Sequence, residues 1–180
     1  MDYISEPDNC DSPTSFNHQK KQEEVDPIYP AYRATHFFTY KLSIMSFPIV
    51  NGMRSIEFGN PGESRDKLIS LILDGNKRAT AGTLQWDYVA ENEPIESVGE
   101  KLAVIDNQNK HVATIQATRV EVKRFADVPT EFALAEAEGD LSGDDFRASH
   151  HNFWTKLGLE ITDDTEIVLV YFDLVEDLRK

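Results

Sequence analysis

The residues best suited to chemistry lie in the turn Asp74-Gly75-Asn76-Lys77-Arg78-Ala79-Thr80 and in the acidic run Ala135-Glu136-Ala137-Glu138-Gly139-Asp140. In the turn, a hydroxyl follows two cations. A threonine hydroxyl becomes a nucleophile when a neighbouring amine takes its proton, and a lysine that does so must first lose its own. The plain structural reading is equally concrete: Gly75 ends a helix, and Lys77 and Arg78 favour the negative end of its dipole. In the acidic run, three carboxylates crowd a helix end that prefers cations. That pattern fits either a solvated helix end or a carboxylate turned inward onto a lysine, and it leaves Glu136, Glu138 and Asp140 equivalent.

Other candidates are weaker. His150 and His151 are adjacent on an expected helix and point about 100° apart, so one metal ion cannot readily take both. His150 falls on an apolar stripe and reads as a core histidine, His151 as a surface one. The chain has no HExxH, no paired cysteines, no GxSxG and no GxxxxGK[ST], so no metal and no cofactor is implied. Trp86 and Tyr88 could stack on a base or simply pack.

These residues need elements to hold them. Ser64 is placed to cap a helix through Leu68, Leu71, Ile72 and Leu73, with Gly75 as its left-handed stop. Two β-branched stretches, 101–106 and 111–122, read as strands joined by the polar turn Asn107-Gln108-Asn109-Lys110. Pro129 to Ala137 and Ser142 to Leu157 read as helices, the second with Ser142 as cap and Phe146, His150, Phe153 and Leu157 on one stripe. The unalternating run Ile167 to Phe172 reads as a strand covered on both faces. Helix, strands, two helices, strand is an α+β order with a small curved or closed sheet. Residues 1–26 read as a disordered acidic and polar tail, 27–54 as an irregular aromatic arm, and 55–180 as the domain.

Composition narrows the function. Eighteen basic against 32 acidic residues give a net charge of −14, which repels a phosphate backbone and argues against nonspecific DNA binding. Charge is uneven: residues 126–166 hold eleven acids and two bases, 101–125 five bases and two acids, so a local site for a small ligand or a short RNA remains open. No apolar window of about 18 residues suggests a membrane span. The N-terminus lacks a signal-peptide pattern, so cytoplasm is expected. The single cysteine, Cys10, can form no internal disulfide.

Taken in order, Gly75-Lys77-Thr80, Trp86-Tyr88, Val98-Gly99-Glu100, Ala135 to Asp140 and Arg147-His150 resemble the motif series of the ASCH family (activating-signal-cointegrator homology domain), larger bacterial members included. The resemblance covers roughly Phe58 to Leu174. It implies a PUA-like small β-barrel, a mixed curved sheet with flanking helices, and a cleft lined by the Gly-x-Lys-x-x-Thr turn that meets RNA or modified nucleosides. Some small relatives are amidohydrolases that deacetylate 4-acetylcytidine with a threonine, a lysine and a glutamate. Those positions fall on Thr80, Lys77 and Glu138. Arg78, Trp86, Tyr88, Asp140 and Arg147 are the expected substrate-binding residues. The alternatives carried beside this are an RNA-binding module or metal-independent ribonuclease, with Lys77, Arg78, Lys123 and Arg124 meeting phosphate and Trp86 or Tyr88 against a base, and a regulatory ligand-binding domain without turnover.

Overall fold

The computed structural model describes residues 47–179. The tail 1–26, Cys10 and the arm up to residue 46 lie outside those described residues. The sheet starts earlier than expected: Ile49–Val50 (β1) is a strand inside the stretch 27–54 read as an irregular arm, and Met53–Ile56 (β2) straddles its end. Asn51 and Gly52, at φ of 53° and 80°, turn the chain between them. Such short strands, next to Pro48, leave no period to read.

Glu63–Leu73 (α1) is followed by Ala79–Thr83 (β3), a π-turn at Leu84–Val89, Lys101–Ile105 (β4) and His111–Arg124 (β5). Thr130–Glu136 (α2), Gly143–Lys156 (α3) and Glu166–Asp177 (β6) complete the domain. The six strands form one mixed sheet in the order β1-β2-β4-β5-β6-β3, with β2 parallel to β4 and every other pair antiparallel. This is the expected PUA-like α+β architecture. The sheet is not closed, and β1 and β3 are its edges.

Two long strands produce its curvature. Irregularities between Thr114 and Ile115 and between Ala117 and Arg119 bend β5 against β6, so that the pair serves both halves of the sheet. Each half packs its own core. Beneath α1, Phe58, Ile72, Leu102, Val104, Ile115 and Phe172 are buried together. On the other side, α2 and α3 set Phe132, Phe146 and Trp154 on Phe125, Ile167, Leu169 and Tyr171. Edge-to-face contacts join Phe132 to Tyr171 and to Phe146, at 5.3 and 5.6 Å between centroids. Between the two cores lies a cleft.

The helix ends explain one success and one correction. Ser142 caps α3 as expected, accepting a bond from the Asp145 amide at 3.1 Å. Ser64 does not cap α1, because the helix begins at Glu63 with Gly62 at the cap position. The cap residue makes no side-chain bond, and the helix start is braced from a distant turn: Asn107 Oδ1 accepts from the Gly62 amide at 2.7 Å, and Asn107 Nδ2 donates to Gly62 O and Asp66 Oδ1. Asn107→Ala is therefore expected to lower stability by about 1 kcal/mol, the scale of a lost cap. A shift of the urea midpoint at unchanged slope would show it, and an unmoved midpoint would mean that Asn107 does not hold the start of the helix. Gly75 ends α1 with φ of 74°, as expected, and the Asn76 and Lys77 amides both donate to Leu71 O.

On α3 the buried stripe runs Phe146, His150, Trp154 rather than through Phe153, which is 41% exposed. A spacing of four residues keeps a side chain on one face, and Trp154 satisfies that spacing from His150. Among the described residues no helix is long and apolar enough to cross a membrane.

Candidate active site

The chain leaving α1 is extended by the time it reaches β3. Arg78 donates its amide to Ala135 O at 2.7 Å and accepts from the Phe172 amide at 2.9 Å, which ties the Lys77 turn to the end of α2 and to β6. Lys77 and Ala79 turn inward, and Arg78 between them is exposed. On the opposite wall α2 ends at Glu136, after which Ala137 takes a left-handed φ of 55° and Gly139 a φ of 122°. This sharp turn aims consecutive acids at the same point.

That point is Lys77 Nζ. The ammonium donates to Glu138 Oε1 at 2.5 Å and to the Glu136 carbonyl at 3.4 Å, and it stands 3.6 Å from Glu136 Oε1. The Lys77 side chain has no exposed surface, that of Glu136 is 3% exposed and that of Glu138 30%. Glu138 is thus the carboxylate that reaches from solvent to the lysine, and Glu136 is buried below it. Burial pushes the Glu136 carboxyl up to about 8; nearby Lys77 opposes this, and Glu138 and Asp140 add to it.

A cleft of about 270 Å³ opens above the group. Thr80 and Ala81 of β3, the acids Glu136, Glu138 and Asp140, Ser149 and His150 of α3, and the aromatic Phe58, Phe153 and Trp154 line it. Asp140 accepts from Ser149 Oγ at 2.7 Å. His150 lies flat on Phe146, 3.8 Å between ring centroids, with Nδ1 3.1 Å from Phe146 O and Nε2 3.6 Å from Glu136 Oε2. Burial pushes the imidazole below its ordinary value, against the pull of Glu138 and Asp140. No hydrogen bond joins Lys77 Nζ to Thr80 Oγ1. Among the described residues no group of three or more His, Cys, Asp and Glu is placed to hold a metal ion.

The expected residues divide. Thr80, Glu138 and Asp140 line the cleft, with Lys77 held at the carboxylates of its acidic wall. Trp86 packs on the aromatic core, and Tyr88 packs with Val168 and Val170 while its hydroxyl donates to Glu96 at 3.0 Å. Neither lines the cleft. Arg147 also lies outside it, donating to Val128 O and pairing with Asp144. Arg78 contributes its backbone. The aromatic surface that the cleft does offer comes from Phe58, Phe153 and Trp154.

Glu136 and His150 both stand in the motif series, but the motifs assign neither a role in the cleft. A periodic signal was there for both. Glu136 follows the buried Phe132 and Ala133 by four and three residues, and His150 follows Phe146 by four.

An open, mixed sheet whose bent strand pair carries a polar cleft between two helix-covered halves defines a PUA-like α+β protein. The chain belongs to the ASCH domain family, whose sequence profile matches residues 54–176. It is similar to the crystal structure of an ASCH domain from Lactobacillus crispatus, with TM-score 0.58 and 28% identity over 80% of this chain and 94% of that one. A crystal structure of an Enterococcus faecalis protein of the DUF984 family shares the fold, with TM-score 0.61 and 24% identity over 84% of this chain and 90% of that one. No curated protein matches the chain.

Proposed function

We propose that the cleft binds an acylated pyrimidine nucleoside of the 4-acetylcytidine type and hydrolyses its exocyclic amide. Thr80 is the nucleophile, Lys77 takes its proton and Glu138 is the lysine's partner. The observation that carries this is the 2.5 Å contact between the buried Lys77 Nζ and Oε1 of Glu138, which lines the same cleft as Thr80. Thr80 Oγ1 attacks the acyl carbon, and the Thr80 hydroxyl proton passes to Lys77 as Lys77 gives its own to Glu138 across that short contact. The carbon–nitrogen bond breaks, and the nitrogen takes a proton from the acidic wall of the cleft and departs as cytidine. Water then adds its hydroxide to the acyl carbon and its remaining hydrogen to that wall, the carboxylic acid leaves, and the lysine returns the stored proton to the Thr80 hydroxyl.

Size and charge favour a neutral nucleoside over RNA. The cleft suits a base with its acyl group rather than an oligonucleotide, and the carboxylates of Glu138 and Asp140 on its wall repel phosphate. Phe153 and Trp154 offer apolar faces for the base. Three of the four cations expected to meet RNA face carboxylates: Lys77 is buried on Glu138, Arg124 pairs with Asp127 at 2.8 Å and Asp164 at 3.1 Å, and Lys123 lies 3.9 Å from Glu121, while Arg78 is exposed.

The test is direct. Full-length protein incubated with 4-acetylcytidine at pH 7.5 is expected to release cytidine and acetate in equal amounts, followed by liquid chromatography. Absence of cytidine above the no-protein control overturns the hydrolytic reading.

A further inference from the structure

On the route above the nucleophile's proton stays with Lys77 and Glu138 until the ester is cleaved, so the departing nitrogen must receive another as the carbon–nitrogen bond breaks. Lys77, Glu138 and Thr80 account only for the nucleophile's proton. The structure holds another proton-bearing group beside them. His150 Nδ1 faces acceptors: Phe146 O at 3.1 Å, Ser149 Oγ at 3.2 Å, and Asp140 Oδ2 at 3.9 Å, while the Ser149 hydroxyl donates to Asp140. That surrounding places the ring hydrogen on Nδ1. Nε2 then carries a lone pair, aimed at Glu136 Oε2 3.6 Å away. Glu136 Oε2 is buried and has no hydrogen-bond partner among the described residues. A lone pair facing a buried, otherwise unpartnered carboxyl oxygen leaves room for one hydrogen between them.

We propose that Glu136 and His150 hold a single shared proton on the cleft wall and that this pair delivers it to the nitrogen released from the substrate. The proposal rests on the hydrolytic reading of the cleft. In the first half-reaction Glu136 gives the proton to the leaving nitrogen and becomes a carboxylate. In the second, water adds its hydroxide to the acyl–threonine carbon and its remaining hydrogen returns to Glu136, so the pair is restored each cycle.

Charges around the pair support a proton there. Glu136 faces Lys77 from the turn after α1, Glu138 and Asp140 from the segment after α2, and His150 from α3. Burial raises the Glu136 carboxyl toward 8 and lowers the imidazole, so both are neutral near pH 7. A neutral acid facing a neutral imidazole is the arrangement the geometry requires.

Two measurements on the full-length chain decide it. In 15N-histidine-labelled protein without substrate, His150 is expected as the Nδ1–H tautomer at pH 7. Its Nε2 shift should move again near pH 8 as Glu136 ionises, and this upper step should vanish in Glu136→Gln, whose amide still donates to Nε2. With 4-acetylcytidine, Glu136→Gln should lower kcat by about 100-fold and lose the fall in rate above pH 8, with KM little changed. An Nε2–H tautomer, an upper step that persists in Glu136→Gln, or an unchanged kcat each overturns the proposal. If the wild-type protein turns over no 4-acetylcytidine, proton delivery falls together with the hydrolytic reading. The tautomer and the upper step still show, by themselves, whether the shared proton exists.

Discussion

Lys77→Met is expected to lower stability by about 3 kcal/mol at pH 7.5 and turnover by about 10³-fold. The methionine keeps the stem's volume and removes the ammonium. Glu138 loses its 2.5 Å partner, and the buried Glu136 loses a donor to its carbonyl and a charge 3.6 Å from its carboxyl. Truncating one member of a buried ion pair is costly because the other stays desolvated. The effect sits at the low end of that range because Glu138 is 30% exposed and can be partly rehydrated. Urea denaturation measures the loss, and Glu138→Gln in the same background should restore part of it. Thr80→Ala separates the two roles: it should match the loss of turnover while leaving the urea midpoint nearly in place. A Lys77→Met protein within 0.5 kcal/mol of wild type would mean that the ion pair contributes little to the fold. Undiminished turnover in that variant would mean that the lysine takes no proton.

The sequence could announce Lys77 and Thr80 because a glycine stop, a cation and a hydroxyl at fixed spacing are a local pattern. The strands were legible for the same reason. Lys101–Ile105, His111–Arg124 and the core of Glu166–Asp177 are β-branched runs bounded by polar turns. What the sequence hid depends on distant partners. Asn107 braces the start of a helix that begins at Glu63, where Ser64, the residue with the right chemistry nearby, was expected as the cap. Trp86 and Tyr88 looked like a stacking pair because aromatics one residue apart invite that reading. The π-turn instead spends one on the aromatic core and the other on the opposite face of the sheet.

The ambiguity among Glu136, Glu138 and Asp140 had a different origin. All three reach the cleft, and each does a different thing there: Glu138 holds the lysine, Asp140 accepts from Ser149, and Glu136, almost wholly buried, faces His150 on the wall. The acidic run is a helix end whose next residues turn left-handed, so helical period applies to Glu136 alone. The two acids beyond it are placed by the turn at Ala137 and Gly139. A motif that reads as one cluster is three separate assignments.

Between pH 5 and pH 9 the wild-type protein is expected to lose a few kcal/mol of stability that Glu136→Gln does not lose. In the unfolded chain Glu136 ionises at its ordinary value of 4.5, whereas in the folded protein burial holds its proton up to about 8. Over that window the folded state binds more protons than the unfolded one. The contribution of Glu136 is therefore complete below 4.5 and disappears as pH rises through 8. His150 acts in the opposite sense: with its value lowered by burial, it favours the folded state above 6.5 and loses that contribution as pH falls. Glu96, also raised by burial, has the same sign as Glu136 and remains in the variant, so the comparison isolates the cleft carboxyl. Urea midpoints at pH 5, 7 and 9 supply the measurement. Parallel profiles for the two proteins would mean that Glu136 is already ionised in the folded state at neutral pH. The Lys77 ammonium would then balance two carboxylates rather than one, and Lys77→Met should cost more at pH 7.5 than the 3 kcal/mol expected here.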